Sequence, residues 1–475
     1  MRDALPTLQD VKRLVFRQQR KKNLIPEHAA LTNHFNTAII KLRESAELAT
    51  ASQKPLIEKE LRAKIEEKRE AENAFLLKLA EQLEDYIIGQ PDRIRLKKHS
   101  SVGRQITTLN KGKSIQAVFD RYCAMRLADS FRIRTVGRDQ IIRTLIDALE
   151  MARGPKNDQP ARRAIIRFDI REFYASIPHH LLLDKIESHA GIPSYVNKHV
   201  RSILGAYNRV YEVDQGVPQG VPSSAVLSEI FLENFDARLK RDTSVAVYLR
   251  YVDDVLIICD AANADHIETT VRSELLSLGL EINSSKFTSV THPSNIPTFI
   301  EYLGYSFRFS KEQSQLESID IDNKKSTRLR TALDRLEKYA DSVDCWASPK
   351  AVDFYFLLFE YLLMPHASES DGDSLRIVTG LAYNARFARG RHTLQPNLTG
   401  FINTARSYTE TRFARFRSSS GSPHVCPCCK QIVHRNQDMT EFAEKFLSTK
   451  QIFHSVALPH KSDEDRAAAR RVLWN

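Results

Sequence analysis

Two short apolar runs around a pair of carboxylates constrain this chain more than any other feature. Val245-Ala246-Val247-Tyr248-Leu249 precedes the tetrapeptide Tyr251-Val252-Asp253-Asp254, and Val255-Leu256-Ile257-Ile258-Cys259 follows it. Both runs are rich in β-branched and aromatic residues, so each reads as a buried strand and the tetrapeptide as a hairpin tip. Adjacent like charges repel, and a low-dielectric surrounding raises the cost. A bound divalent cation relieves it. An ordinary acidic turn is the alternative, since Asp favours turns.

Upstream, Arg163 to Ile177 begins as an apolar strand that ends at Asp169. A carboxylate at the end of a buried strand faces a crevice. Asp169 lies too far ahead of the helix predicted from about His179 to His189 to cap it. Gln215 to Ser224 holds two glycines and two prolines, which force an unusual loop whose backbone can approach a ligand. Ser223 or Ser224 is expected to cap the helix that follows, Ala225 to about Lys240. After the Asp-Asp tip come a helix over Ala262 to Leu278 and a glycine stop leading into a strand at Gly279 to Lys286. Phe299 to Phe307 reads as strand, turn, strand. Residues 163 to 290 therefore describe a split βαβ sheet with antiparallel pairing at its centre. In such a sheet Asp169, Asp253 and Asp254 can meet at one edge.

The flanks are less specific. Residues 1 to about 90 look helical and charged, with Leu56, Leu61, Ile65, Phe75, Leu76, Leu79 and Leu83 forming one apolar stripe of a long helix. A packing helix is favoured over a nucleic-acid arm. Residues 92 to 162 are basic, and Asn110 to Lys113 looks like a turn carrying two amines. Lys324 to Ala340 and Ala351 to Met364 are expected helices. Arg386, Arg389, Arg391, Arg406, Arg412, Arg415 and Arg417 then interleave with Phe387, Phe401, Tyr408, Phe413 and Phe416, a pattern suited to a nucleic-acid backbone. Cys426, Cys429 and His434 make a candidate zinc set, with free thiols as the alternative. The net charge of +11 fits a polyanionic partner, and six cysteines do not make a disulfide scaffold. With no long apolar segment, the chain is expected to be cytoplasmic, without membrane contact.

Three carboxylates at a strand edge, beside a basic and glycine-rich crevice, suit two magnesium ions and a triphosphate. Here the chain resembles reverse transcriptases, and specifically the bacterial retron, group II intron and defence-associated branch, over roughly residues 100 to 310. Arg163–Ile177, Gln215–Ser224, Tyr251–Asp254, Gly279–Lys286 and Tyr302–Gly304 are similar to that family's palm motifs, and Arg132 to Arg143 to its finger motif. The chain departs from relatives at Ala225, where Pro is usual, and at Gln140, where Arg is common. It also lacks the Asn-Ala-x-x-His element of retrons. A stand-alone defence-associated or abortive-infection enzyme is the expected subfamily.

The resemblance implies an α+β right-hand polymerase. A helical N-terminal region (1–91) precedes fingers (92–162) and a split βαβ palm carrying the YxDD hairpin (163–310). A helical thumb (311–420) and a Cys/His-containing tail (421–475) follow. It implies an RNA-directed DNA polymerase. Asp169, Asp253 and Asp254, with the Ile170 carbonyl, would hold magnesium. Lys286 would protonate pyrophosphate. Tyr174 would exclude the ribose 2′-hydroxyl, Gln219 and Gly220 would contact the nucleotide, Tyr251 would support the primer, and Arg132, Arg134 and Arg138 would meet the triphosphate. The implied partners are an RNA template, a dedicated non-coding RNA among the options, deoxynucleoside triphosphates and the DNA product. A homo-oligomer or partner protein stays open. So do untemplated or protein-primed synthesis and a catalytically silent RNA-binding scaffold.

Overall fold

The computed structural model describes residues 5–20, 25–89, 94–101, 104–109, 115–150, 162–292, 298–310, 316–343, 349–363, 366–368, 377–414, 468–469 and 472–473. Helices α1 (Leu8–Arg20), α2 (Pro26–Leu48) and α3 (Lys54–Gly89) open the chain, with α2 and α3 packed as a helical hairpin. The apolar stripe expected along α3 is buried only in its second half. Leu76, Leu79, Leu83 and Ile87 enter the main core beside Val11 and Leu14 of α1, whereas Leu56 and Ile65 are exposed. The first half of α3 rests on α2, where the Lys64 ammonium lies 5.3 Å from the centre of the Phe35 ring. Two helices alone cannot enclose an apolar stripe.

Strands β1 (Leu96–Ser101) and β2 (Arg104–Leu109) form an antiparallel hairpin. Helix α4 (Ile115–Ser130) is buried almost all round, and α5 (Arg138–Glu150) buries Ile141, Ile142, Leu145, Ile146 and Leu149 along one face. Then come β3 (Arg163–Asp169), the short α6 (Phe173–Ser176), α7 (His179–Glu187), α8 (Ser194–Tyr211), α9 (Pro222–Arg241), β4 (Val245–Tyr251), β5 (Asp254–Asp260), α10 (Ala264–Ser277) and β6 (Thr288–His292). The strands form one antiparallel sheet in the order β4-β5-β3-β6.

Side chains alternate across this sheet. Ala164, Ile166, Phe168, Val255, Ile257 and Cys259 join the main core with α7, α9 and α10. Ile165, Leu256 and Ile258 face a second core made with α5 and the antiparallel sheet of β7 (Phe299–Tyr302), β8 (Tyr305–Phe309) and β9 (Leu316–Ile321). Burial on both faces explains why β3 and β5 read as continuous apolar runs. A third core holds α11 (Asn323–Asp341), α12 (Pro349–Leu363), α13 (Leu381–Asn384) and α14 (Pro396–Ala414). Among the described residues no helix is long and apolar enough to cross a membrane.

Two local expectations are corrected. Helix α9 starts at Pro222, so Ser223 and Ser224 lie buried in its first turn and cap nothing; Val221 holds the cap position without a side-chain bond. After Gly279 the chain makes a 3-10 turn, Ser284–Lys286, and the strand comes later, at Thr288–His292.

Candidate active site

Register brings the carboxylates together. Asp169 ends β3 directly opposite Asp254, the first residue of β5, and Tyr251 ends β4 opposite the same Asp254. Directly paired residues of adjacent strands put their side chains on one face. Val252 and Asp253 form the two-residue turn between them, and the Ile170 N–H donates to the Asp253 carbonyl at 3.1 Å. The segment after α10 closes the other side. Ile282 bridges Ile170, the Asn283 N–H donates to the Asp169 carbonyl (2.8 Å), and the Lys286 ammonium donates to Asp169 Oδ2 (2.8 Å).

The electrostatics follow from crowding. Burial pushes the Asp253 carboxyl above its ordinary range, and the neighbouring Asp169 pushes it further. Burial also raises Asp254, against the pull of the Arg167 guanidinium, which donates to it at 3.1 and 3.3 Å. Arg167 is a site residue that motif reading passed over. Its signal was present, since it sits two residues before Asp169 and shares that face of the strand. The Tyr302 hydroxyl donates to the Asp254 carbonyl (3.3 Å), tying the β7–β8 turn to the same edge. Among the described residues no three His, Cys, Asp or Glu side chains stand as a ready-made metal cage. The donor chemistry nevertheless fits a hard cation, which prefers carboxylate oxygens. Lys286 and Arg167 already sit as positive stand-ins on two of the three carboxylates.

The glycine loop lies beside this edge. Val217 N–H donates to the Tyr174 carbonyl (2.7 Å) and Gly216 N–H to the Ile177 carbonyl (2.7 Å), while the His179 ring meets the Gly216 carbonyl at 2.7 Å. The Tyr174 hydroxyl bonds to Ser228 of α9 and lies in the field of Glu229 and Asp253, with its pKa raised by burial. Gln219 and Gly220 are exposed, Gly220 has φ +112°, and the Gln219 carbonyl accepts the Thr107 N–H of β2 at 2.7 Å. At Gly216 φ is +92°, and a Cβ would lie 2.8 Å from Tyr207 Cε1 and 3.0 Å from the Ala175 carbonyl oxygen. Gly216→Ala is therefore expected to destabilise by about 1–3 kcal/mol, read as a lower urea midpoint.

The remaining predicted residues scatter. Tyr251 is 39% exposed at the hairpin tip. Arg132 and Arg134 are exposed between α4 and α5. Arg138 donates to the Leu303 carbonyl in the β7–β8 turn. Parts of the basic stretch after residue 384 are committed inside the fold. Arg386 pairs with Asp139, Arg389 with Glu150 at 2.6 Å, and Phe387 and Phe401 are buried. Arg386 and Arg389 are thus already paired within the fold. Cys426, Cys429 and His434 lie outside the described residues.

Residues 95–307 match the family model described as reverse transcriptase (RNA-dependent DNA polymerase). No curated protein sequence matches the chain. Among solved structures, the chain is similar to apo telomerase from Candida tropicalis truncated from its C-terminal domain. That pair shows 16% identity over 49% of this chain and 55% of the other, with a TM-score of 0.34. It is also similar to telomerase from Candida albicans in complex with a TWJ fragment of telomeric RNA, at 13% identity over 68% and 54%, with a TM-score of 0.38. A third is telomerase from Candida tropicalis with the same kind of fragment, at 14% identity over 76% and 58%, with a TM-score of 0.37. The chain spans little more than half the length of these telomerase chains. The family match covers the segment that contains Asp169, Asp253 and Asp254, so residues 95–307 are similar to a reverse transcriptase domain.

Proposed function

We propose that the chain extends a primer with deoxynucleotides copied from an RNA template. The observation that carries this reading is the register that sets Asp169 against Asp254, with Asp253 in the intervening turn, inside the matched reverse transcriptase domain. In this reading residues 92–162 act as fingers, 163–310 as palm and 311–420 as thumb. Reverse transcriptases generally use divalent ions, typically Mg2+. Asp169, Asp253, Asp254 and the Ile170 carbonyl would hold two of them, which when bound acidify the primer 3′-hydroxyl and offset charge on the leaving pyrophosphate.

The chain's own groups supply the rest. Lys286, whose ammonium donates to Asp169 Oδ2 at 2.8 Å, would give a proton to the leaving pyrophosphate. Gln219 and Gly220 offer exposed backbone to the incoming nucleotide. Tyr251 supports the primer end, and Arg132 and Arg134 meet the triphosphate with Arg138 bracing the turn behind them. Tyr174, held by Ser228 near Asp253, blocks a ribose 2′-hydroxyl. Tyr174→Ala is expected to admit ribonucleotides, lowering discrimination by about 10-fold or more, since a pocket that merely excludes one group separates substrates by modest factors. Competitive incorporation of deoxy- and ribonucleotides measures it, and unchanged discrimination removes Tyr174 from this role.

The test is DNA synthesis by purified protein with Mg2+ and deoxynucleotides, with and without an RNA template and primer, beside the double variant Asp253→Asn/Asp254→Asn. Product that requires RNA and disappears in the variant supports the reading. Product that survives nuclease treatment without added nucleic acid points to untemplated synthesis at the same site. RNA binding with no product under any condition points to a silent scaffold. The motif resemblance further supports a role in antiphage defence. Phage plating on bacteria expressing the chain or its double variant tests that role.

A further inference from the structure

The turn that carries Asp253 is built on an unfavourable residue. Val252 has φ +61°, a left-handed conformation that β-branched side chains rarely adopt. A positive φ at the first position of a two-residue hairpin turn is where glycine is usual. Something must hold valine there, and the structure shows what does. The Arg250 guanidinium, 5% exposed, donates to the Val252 carbonyl at 2.8 Å. It is itself fixed by two carboxylates of α9. Its Nη1 and Nη2 meet Glu229 at 3.2 and 2.7 Å, and its Nε and Nη2 meet Asp236 at 2.8 and 2.6 Å. Asp236 is oriented in turn by the Tyr248 hydroxyl at 2.6 Å.

Asp253 is thereby pinned at both flanking peptides. Arg250 holds the carbonyl of the peptide before it, and the Ile170 N–H, next to Asp169, holds the carbonyl of the peptide after it. The clamp also joins two parts of the site, because α9 starts at Pro222 immediately after the glycine loop.

We propose that Arg250, anchored by Glu229 and Asp236, is a positioning residue that holds the Val252–Asp253 turn so that the Asp253 carboxylate faces Asp169 at a shared metal position. This rests on the reading of Asp253 as a metal ligand. Arg250 touches no reacting atom. It acts through the backbone of the turn, and a lysine in its place keeps the charge but cannot contact Glu229, Asp236 and the Val252 carbonyl at once.

The experiment compares the full chain with Arg250→Lys, Val252→Gly and the double variant. The readouts are Mn2+ binding by electron paramagnetic resonance, kcat and KM for a deoxynucleotide, and thermal melting. Arg250→Lys is expected to weaken Mn2+ binding and lower kcat by about 10- to 100-fold, as outer groups that orient metal ligands do, with KM little changed. Glycine adopts the left-handed turn without help, so the same substitution made on Val252→Gly is expected to cost several-fold less. An equal loss with and without Val252→Gly, or wild-type Mn2+ binding in folded Arg250→Lys, overturns the proposal. If Arg250→Lys does not fold, Glu229→Gln replaces it, leaving Asp236 to hold the guanidinium, with the same pattern expected at smaller size. A wild-type chain that binds Mn2+ but makes no DNA would reject the proposed function while leaving the Mn2+ comparison intact as the test of the clamp.

Discussion

Asp253→Asn is expected to lower DNA synthesis by at least about 100-fold, the scale of losing a group that stabilises transition-state charge, and at the same time to raise the melting temperature. The two effects share a cause. Burial and Asp169 hold the Asp253 carboxyl above its ordinary value of 3.8. A carboxyl with a raised pKa binds its proton more tightly folded than unfolded. Its contribution to stability is therefore greatest at low pH and falls as pH rises from 3.8 towards the raised value. Above that window the charged group opposes folding, and asparagine removes the opposition without changing shape. The melting temperature should therefore rise in metal-free protein near neutral pH. The rise should shrink as pH falls through the window. Thermal denaturation in chelator across pH measures it. A lower melting temperature for the variant would mean that the Lys286 ammonium outweighs the crowding. Such a trade of stability for function is common where an active site concentrates charge.

Asp120→Ala is expected to destabilise the chain by about 2–5 kcal/mol, from two buried donors left without an acceptor. Asp120 lies on α4 and is fully buried. Its Oδ1 meets His199 Nε2 of α8 at 3.0 Å, and its Oδ2 accepts the Ser223 N–H of α9 at 2.9 Å. It thus supplies, from a distant helix, the cap that Val221 cannot give. Three helices and the end of the glycine loop depend on one side chain. Urea denaturation reads the loss as a lower midpoint. Asp120→Asn keeps one acceptor oxygen and should lose less. Where Asp120→Ala stays folded, KM for the deoxynucleotide should rise with loosening of the loop, and an unchanged midpoint would show that water or neighbouring groups satisfy both donors.

Asp120 also shows where reading the chain in order fails. The serines after Pro222 looked like caps because cap preference is local. The actual cap arrives from 103 residues upstream. Arg386 and Arg389 are a second instance. Composition counted them towards a nucleic-acid surface, yet their partners Asp139 and Glu150 lie 247 and 239 residues away along the chain. Leu56 and Ile65 are a third. Periodicity marked their stripe, but only a third packing layer would have buried it, and that layer meets the second half of α3 alone.

What the sequence determined by itself is local. The β-branched and aromatic runs around Tyr251–Asp254, the strand ending at Asp169 and the strand-turn-strand after Phe299 follow from residue type and from the short length of each run. That Asp169 and the Asp253-Asp254 tip could meet at one edge was legible because the split βαβ order makes their strands neighbours, whereas the register that sets Asp169 opposite Asp254 came from the structure. The tertiary structure alone decided which cation answers which carboxylate, including Arg167 on Asp254, Lys286 on Asp169, and Arg250 between Glu229, Asp236 and the Val252 carbonyl. The physical reason is that Coulomb attraction depends on separation in space and on burial, and neither leaves a periodic mark along the chain.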